Sequence, residues 1–554
     1  MTEHKHIGKI VGALMAAAVA FCLIVTLFAD RFVAVSGSSV ATMEYESTLF
    51  DTSEIMTVNI IMDEDQWQEL LDNAISEKYY ACDVEINGET ISNVGIRTKG
   101  NTSLSSIAND PDTDRYSFKI KFDKYVDGQT CMGLDKLVLN NNFADATNRK
   151  EALVYDMFQY LGADASLYHY AKISVNGEYW GTYLALEAVE DSFKLRNYGV
   201  SDGKLYKPET MGMGNDQKED GINSDMSDRN VDTDADTNAD TNVDSNTNIF
   251  GSEEVDLARD NNPMDRPERP QGDFDQADMD EKFKDPQGDP GDFGGFGNRN
   301  GGADLNYTDD DVDSYSTIWD GADGKVTDSD KERVVNAIKN INEGTDLTAY
   351  LDIDNILKYM AVHEFVVNLD SLSGNMAHNY YLYENDGQLN IIPWDYNLSF
   401  GGMMNGGMGG SPGRESTESS EATSMINDPI DTPFDGTDFF DALLENEEYL
   451  AQYHEYLRQL AEEYVQGGRL QEVWERLDAQ TDELIETDPT AFYTAAEYEE
   501  AKETLWTVLQ LRAESVLGQL DGTIPSTDDG QQNAQDTLID GSAIDLSVMG
   551  EFNH

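Results

Sequence analysis

Basic residues are scarce in this chain of 554 residues. Lysine and arginine number 37 against 107 aspartate and glutamate residues, which gives a formal charge of −70 at pH 7. Binding to nucleic-acid phosphates needs clustered lysine and arginine, so the composition argues against a nucleic-acid partner. The same charge is repelled by anionic membrane surfaces, whereas it attracts divalent cations and basic partners.

Cysteine is rarer still, and the few cysteines present do not form a zinc-binding pattern. The chain has three cysteines, and Cys22 lies in an N-terminal apolar run. Cys82 and Cys131 are therefore the one pair available for a disulfide, and their spacing does not show that they form it. Hydrophobic residues make up 39% of the chain, a low value because long acidic segments dilute a normal core.

An uninterrupted apolar run of membrane-spanning length covers residues 10–29, and Lys5 and Lys9 precede it. We expect an uncleaved signal anchor, with residues 1–9 in the cytoplasm and the bulk of the chain outside the cell membrane. A cleaved signal peptide that leaves a secreted protein is the alternative. Residues 30–53 then indicate a polar stalk.

Residues 54–207 alternate predicted strands with short helices, and Asn-Gly turns predict two hairpins there. Residues 208–313 are rich in Asp, Asn, Gly and Pro and predict a disordered acidic insert. A calcium site in this insert is less favoured, because the EF-hand spacing is missing. The other predicted segments are the core at 314–402, a Gly/Ser-rich loop at 403–433, amphipathic helices at 434–522 and a disordered acidic tail at 523–554.

Polar side chains concentrate around a third predicted hairpin, whose strands are 380–383 and 389–394. Asp370 precedes this hairpin and Asp395 follows it. No lysine or arginine lies near them in the sequence, so a cation is expected to supply the missing charge. We predict a set of hard oxygen ligands suited to Mg²⁺ or Mn²⁺, made of Asp370, Asp395, Asn375, Asn379 and Asn397.

A phosphoryl-transfer site needs such ligands together with a lysine on an early strand. Lys119 and Lys121 share one face of the alternating strand 117–122, and Glu151 at the start of the next helix is a candidate partner for one of them. Asp370 and Asn375 also have the D-x-x-x-x-N spacing of a kinase catalytic loop.

Simpler interpretations remain open for most of these side chains. Asp370 can cap a helix or close a turn, and Lys119 and Lys121 can form a solvated strand face. His378 is expected to be a packed, hydrogen-bonded histidine rather than a base. Asp395 is harder to explain structurally, because a carboxylate between two aromatic residues at a strand end needs partners.

The chain resembles the spore-coat CotH kinase family of secreted, atypical protein kinases. The resemblance covers roughly residues 50–207 and 315–522 and leaves out the acidic insert. The motifs that carry it are VGIRTKGNTS (94–103), SFKIKFDKY (117–125), NRKEALVYDMFQYLG (148–162), ISVNGEYWGTYLALEAVEDSF (173–193), GKLYK (203–207), YLDIDNILKYMAVHEFVVNLDS (350–371), HNYYLY (378–383), IIPWDYNLSFG (391–401) and LRAESVLGQLDG (511–522).

The resemblance implies an α+β fold: a reduced, two-lobed protein-kinase-like domain with a helical C-terminal region. It also implies transfer of the ATP γ-phosphate, with Mg²⁺ or Mn²⁺, to serine or threonine of secreted, coat or cell-surface proteins. A Ser-rich or basic protein is the expected substrate. Asp370 matches the catalytic-loop aspartate and Asp395 the metal-binding aspartate, while Asn375, Asn379 and Asn397 compete to complete the metal set.

Four further residues receive a cofactor role from the resemblance. It implies that Lys119 or Lys121 holds the ATP phosphates and that Glu187 lies near the adenine hinge. Arg97 begins a loop, 97–101, that is suited to cover phosphates or else pairs with surface acids. Two other functions stay open because of the acidic insert and tail: a non-catalytic surface protein on a kinase-like scaffold, and a calcium-dependent surface scaffold.

Overall fold

The structure of the chain is a computed structural model. It describes residues 42–210, 301–373, 377–403, 418–434 and 436–550. The predicted anchor at 10–29 and most of the predicted acidic insert lie outside these residues. No helix in the described ranges is long and apolar enough to span a membrane.

The N-terminal part forms a closed β-barrel in the strand order β1-β2-β3-β4-β5-β7-β6. A parallel pairing of β1 with β6 closes it, and the other neighbours are antiparallel. The strands are β1 Met56–Ile61, β2 Tyr80–Ile86, β3 Glu89–Lys99, β4 Ser117–Lys121, β5 Lys136–Asn140, β6 Tyr168–Val175 and β7 Glu178–Glu187.

Alternation along the barrel strands separates an inner from an outer face. Leu137 and Leu139 of β5 lie in the barrel core, whereas Val138 between them packs in the larger core outside the barrel. Both predicted Asn-Gly hairpins are confirmed, as β2–β3 and β6–β7. The outer face of the barrel is therefore the surface on which the rest of the protein packs.

A second, three-stranded antiparallel sheet has the order β10-β9-β8. Its strands are β8 Lys204–Tyr206, β9 Tyr380–Asn385 and β10 Gln388–Pro393. The third predicted hairpin, β9–β10, is confirmed with Tyr380 opposite Pro393. Residues just before β9 and just after β10 consequently lie together at its open end.

Helices surround both sheets and supply most of the larger core. They are α1 Glu44–Thr48, α2 Glu64–Asp72, α3 Thr102–Asn109, α4 Lys150–Leu161, α5 Asp191–Tyr198, α6 Ser316–Asp320, α7 Asp328–Asn342, α8 Leu347–Tyr350, α9 Ile353–Val366, α10 Glu418–Ile426, α11 Asp441–Leu444, α12 Glu447–Arg458, α13 Arg469–Glu486, α14 Ala495–Leu520 and α15 Asp528–Asn533. The mixed α+β class predicted from the sequence is confirmed.

Several predicted segment boundaries need correction. Tyr45 of the predicted stalk is buried in the barrel core, and Leu305 of the predicted insert is buried in the larger core. Met549 of the predicted disordered tail is also buried there, and its carbonyl accepts a hydrogen bond from the Ala146 amide. The described part of the predicted Gly/Ser-rich loop contains α10. In each case a few apolar side chains within a polar segment dock onto a distant surface.

Candidate active site

Asp370 lies in the loop that follows α9, and three neighbouring groups fix its position. The helix ends at Val367, whose φ of 49° is left-handed. The Asp370 carboxylate accepts a hydrogen bond from Nε2 of His378 at 2.6 Å and another from Nδ2 of Asn379 at 3.0 Å. Asn379 also donates to the Asp370 carbonyl at 2.8 Å. The hairpin end thus holds this carboxylate in one orientation.

Burial and neighbouring charge perturb the titration of this pair. Burial raises the pKa of Asp370 and the charge of Asp395 raises it further, while His378 and Asn379 lower it. Burial alone lowers the pKa of His378, but the hydrogen bond and charge of Asp370 outweigh it and leave this pKa raised. The expectation that His378 is packed and hydrogen-bonded is confirmed.

Asp395 follows β10 at the same open end of the hairpin. Its φ of 60° is left-handed, a conformation that aspartate tolerates better than most residues. Its charge acts on Asp370, on Glu151 and on Lys99. In the described part of the chain, neither Asp370 nor Asp395 forms a salt bridge with lysine or arginine. The two carboxylates are therefore close enough for the charge of Asp395 to raise the pKa of Asp370.

Besides Lys207, which pairs with Glu209 at 2.5 Å, the structure brings Lys99, the last residue of β3, into the field of Asp395. Nζ of Lys99 donates to Oδ1 of Asn140 at 2.8 Å and lies 5.7 Å from the Trp394 ring centre. Burial lowers the pKa of Lys99, and the charges of Asp395 and Glu151 offset this only in part. A half-buried lysine whose ammonium group is held by Asn140 suits a phosphate-binding role.

Glu151, at the start of α4, completes this group. It accepts a hydrogen bond from Nδ2 of Asn140 at 2.8 Å, and its Oε1 has no hydrogen-bond partner. Burial, followed by the charge of Asp395, raises the pKa of Glu151 to about 8. The predicted pairing of Glu151 with Lys119 or Lys121 is thus replaced by a contact with Asn140 and the field of Lys99.

Lys119 and Lys121 lie on the outer face of β4, because they alternate with Phe118 and Ile120, which are buried in the barrel core. In register, Lys119 is opposite Arg97 on β3 and Lys121 is opposite Lys136 on β5. Cross-strand partners share a face, so these side chains and Lys99 form one basic surface. We call it the basic face; it comprises Arg97, Lys99, Lys119, Lys121 and Lys136.

Glu190 already neutralises part of the positive charge of the basic face. Although burial raises it, the pKa of Glu190 is held below its usual value by Lys136, Lys119 and Lys121. Glu190 also forms a very short ion pair with Lys136. The basic face thus extends from the Lys99 region toward the start of α5.

Two predicted cofactor residues are engaged elsewhere. The Glu187 carboxylate is fully buried, pairs with Arg196 at 2.6 Å and accepts a hydrogen bond from the Tyr45 hydroxyl at 2.6 Å. The Glu187 side chain is therefore held on the core side of the barrel, opposite Leu137, and its place near the adenine hinge stays a prediction. Arg97 pairs with Glu77 at 2.8 Å, so it takes the second predicted role, pairing with an acid.

The three candidate carboxamides lie in different surroundings. Asn379 contacts Asp370 directly, as described above. Nδ2 of Asn397 donates to the Phe143 carbonyl at 3.0 Å, which ties the loop after Asp395 to the loop after β5. Asn375 lies outside the described residues.

The donor set fits a nucleotide-bound Mg²⁺ or Mn²⁺. The described residues contain no cluster of three or more His, Cys, Asp or Glu side chains arranged around a metal. Mg²⁺ is commonly held by one or two carboxylates with substrate phosphates and water, so Asp370 and Asp395 suffice without a third acid. The basic face supplies the positive charge that a polyphosphate requires.

In the described part of the chain, a β-barrel that carries Lys99 is joined to a hairpin that Asp370 and Asp395 flank. A family model described as CotH kinase protein matches residues 96–254 and 274–516. The match covers well over half of the chain, so the chain belongs to the CotH kinase family, and the resemblance is confirmed. No curated protein matches the chain.

Proposed function

We propose that this protein is an ATP-dependent kinase that phosphorylates serine or threonine of secreted, coat or cell-surface proteins. The observation that carries the proposal is the juxtaposition of Asp370 and Asp395 beside Lys99, with no lysine or arginine salt bridge to either carboxylate among the described residues. Membership of the CotH kinase family supports the same reaction class.

Asp370 is proposed to orient the substrate hydroxyl and to accept its proton. His378 and Asn379 each occupy one lone pair of the carboxylate and fix its plane, and other lone pairs remain available. Burial and Asp395 raise the pKa of Asp370, which brings its basicity closer to neutral pH, as general-base catalysis requires.

Asp395 is proposed to hold Mg²⁺ or Mn²⁺, with the amide oxygen of Asn379 or Asn397 as a further ligand. When bound, the cation neutralises the charge of the phosphates during transfer. Lys99, positioned by Asn140, contacts the phosphates. Lys119 and Lys121 lie farther along the basic face and bind the remainder of the nucleotide.

The barrel and the helical part are proposed to correspond to the two lobes of a reduced kinase. The apolar run 10–29, with Lys5 and Lys9 before it, supports a membrane anchor that places the enzyme outside the cytoplasm. The net charge of −70 favours a basic protein substrate, because opposite charges steer the two proteins together.

The test is transfer of radiolabelled γ-phosphate by the full-length protein in detergent, with Mg²⁺ or Mn²⁺ and a basic Ser-rich substrate. Wild type is expected to label the substrate, while D370N and D395N lose about 10³-fold or more in rate. D386N is the matched control, because Asp386 is exposed at the turn of the same hairpin with a φ of 51° that asparagine accepts. Full transfer by D395N would remove the assigned metal role.

A further inference from the structure

Arg512 of α14 is fully buried, and all five of its N–H donors are used. Nε donates to the Phe365 carbonyl at 3.2 Å, and Nη2 donates to the carbonyl and the carboxylate of Glu364 at 2.8 and 2.9 Å. Nη1 donates to the carbonyls of Ile426 at 3.3 Å and Asp428 at 2.7 Å. One planar guanidinium thus joins three segments that are far apart in sequence.

The acceptors identify what this contact fixes. Glu364 and Phe365 belong to the last turn of α9, where the Glu364 carbonyl also accepts a hydrogen bond from the amide of the cap residue Val367 at 3.3 Å. The next carbonyl, that of Val366, accepts a hydrogen bond at 2.8 Å from the Phe400 amide. The loop with Asp370 leaves this helix end, and Phe400 belongs to the loop with Asp395. Both aspartate loops are therefore anchored at the turn that Arg512 caps.

Charge explains why an arginine is needed at this point. Burial and the charge of Asp428 raise the pKa of Glu364, while Arg512 lowers it. Arg512 is the positive charge that pairs with the buried Glu364 carboxylate, at 2.9 Å, and so offsets its charge. A lysine has three donors in a different geometry and cannot serve all five acceptors.

We propose that Arg512 is a positioning residue for phosphoryl transfer: it caps the end of α9 and so holds the loops of Asp370 and Asp395 in register. This inference rests on the proposed kinase function. It gives α14 a structural link to the site. The catalytic aspartates themselves do not contact Arg512.

The test compares R512K with L505A in the full-length protein. Leu505 is a buried residue of the same helix that serves packing, so L505A controls for a general loss of stability. Transfer kinetics measure kcat and the KM for ATP, and hydrogen–deuterium exchange followed by mass spectrometry reports the loops at 367–373 and 396–400. If R512K does not fold, R512Q, which keeps two donors, takes its place.

For R512K we expect kcat to fall about 10²-fold with the KM for ATP within about twofold, because displaced carboxylates spoil transfer more than binding. Both loops should exchange about tenfold faster, whereas L505A leaves them unchanged. Equal loosening in L505A, or unchanged loops and kcat in R512K, would overturn the assignment. If wild type transfers no phosphate, the kinase proposal fails, and the exchange data still decide whether Arg512 holds the two loops.

Discussion

At the scale of single residues, Lys99 is the side chain whose surroundings most clearly favour phosphate. Its Nζ donates a hydrogen bond to Asn140. The charges of Asp395 and Glu151 both act on it. It also lies beside the Trp394 ring, which shields the group from water. A charge held this way interacts strongly with an incoming anion.

Replacing Lys99 by methionine is therefore expected to weaken ATP binding. Loss of a charge-assisted contact is worth about 1.5–3 kcal/mol, or roughly 10- to 100-fold in Kd. Isothermal titration calorimetry with ATP and Mg²⁺ measures the effect. K172M, on strand β6 and away from the basic face, is the control. If K99M kept the wild-type Kd for ATP while K119M or K121M raised it, the phosphate-binding lysine would lie on β4 instead.

His378 makes a second residue-scale prediction, about pH. Its hydrogen bond and charge lower the pKa of Asp370, so H378Q should let that pKa rise. A base with a higher pKa stays protonated up to a higher pH, and the acidic limb of the kcat/KM profile should move to higher pH.

The control for this prediction is H454Q, which removes a histidine that is bonded to Asp431 at 2.6 Å. Because Asp431 has no contact with Asp370 among the described interactions, H454Q should leave the acidic limb in place. A displacement of the same size in both variants would show that Asp370 is not the group that titrates.

At the scale of elements, the sequence predicted what local patterns determine. The three hairpins have their own turn residues, and α2 has its own cap, since the Asp63 carboxylate accepts hydrogen bonds from the amides of Asp65 and Gln66. Such features need no knowledge of distant residues. Element type and hairpin register were therefore predictable.

Contacts between distant elements were not predictable in this way. Lys99 looked like a loop residue, although the alternation of Val94 and Ile96 extends to it and places it on the outer face. Its importance depends on Asn140 from β5 and Glu151 from α4, which local patterns do not place. The hydrogen bond between Glu187 and Tyr45 was not predictable for the same reason, because the two residues are distant in sequence.

The joint between the barrel and the C-terminal helices yields a stability prediction. Arg115, just before β4, pairs with Asp488, just after α13, at 2.8 Å, and both side chains are almost fully buried. Asp488 also accepts from the Thr182 amide of β7 at 2.8 Å. D488A leaves the guanidinium buried without its partner, which should lower the free energy of unfolding by about 3–5 kcal/mol.

Urea denaturation followed by circular dichroism measures this loss. The control is E69A, because the Lys78–Glu69 pair is more than half exposed on both sides and should contribute less than about 1 kcal/mol. A loss for D488A no larger than that for E69A would mean that the buried pair does not join the two parts.

At the scale of the whole molecule, His363 links the stability of the fold to pH. His363 of α9 is fully enclosed between Tyr396 and Ser373, and burial lowers its pKa to about 3. In the unfolded chain the pKa of this histidine has its ordinary value of 6.5, so between pH 6.5 and 3 the unfolded chain binds a proton that the folded protein does not bind. This contribution to stability is complete above pH 6.5 and is lost as the pH falls toward 3.

Between neutral pH and pH 5, the His363 contribution should amount to about 2 kcal/mol of lost stability. The measurement is the difference in urea stability between wild type and H363Q across this range. H363Q is expected to be less stable at neutral pH and to show a shallower decline with acid. Parallel declines for the two proteins would exclude His363 as the source.

The central claim is that Asp395, beside the proposed base Asp370, holds a nucleotide-bound cation. Electron paramagnetic resonance of Mn²⁺ titrated into the protein with ATP tests it directly, because free and bound Mn²⁺ give distinct signals. We predict ATP-dependent Mn²⁺ binding by wild type and by D386N, and its loss in D395N. Mn²⁺ binding by D395N equal to that of wild type, or no ATP-dependent binding by wild type, would contradict the account.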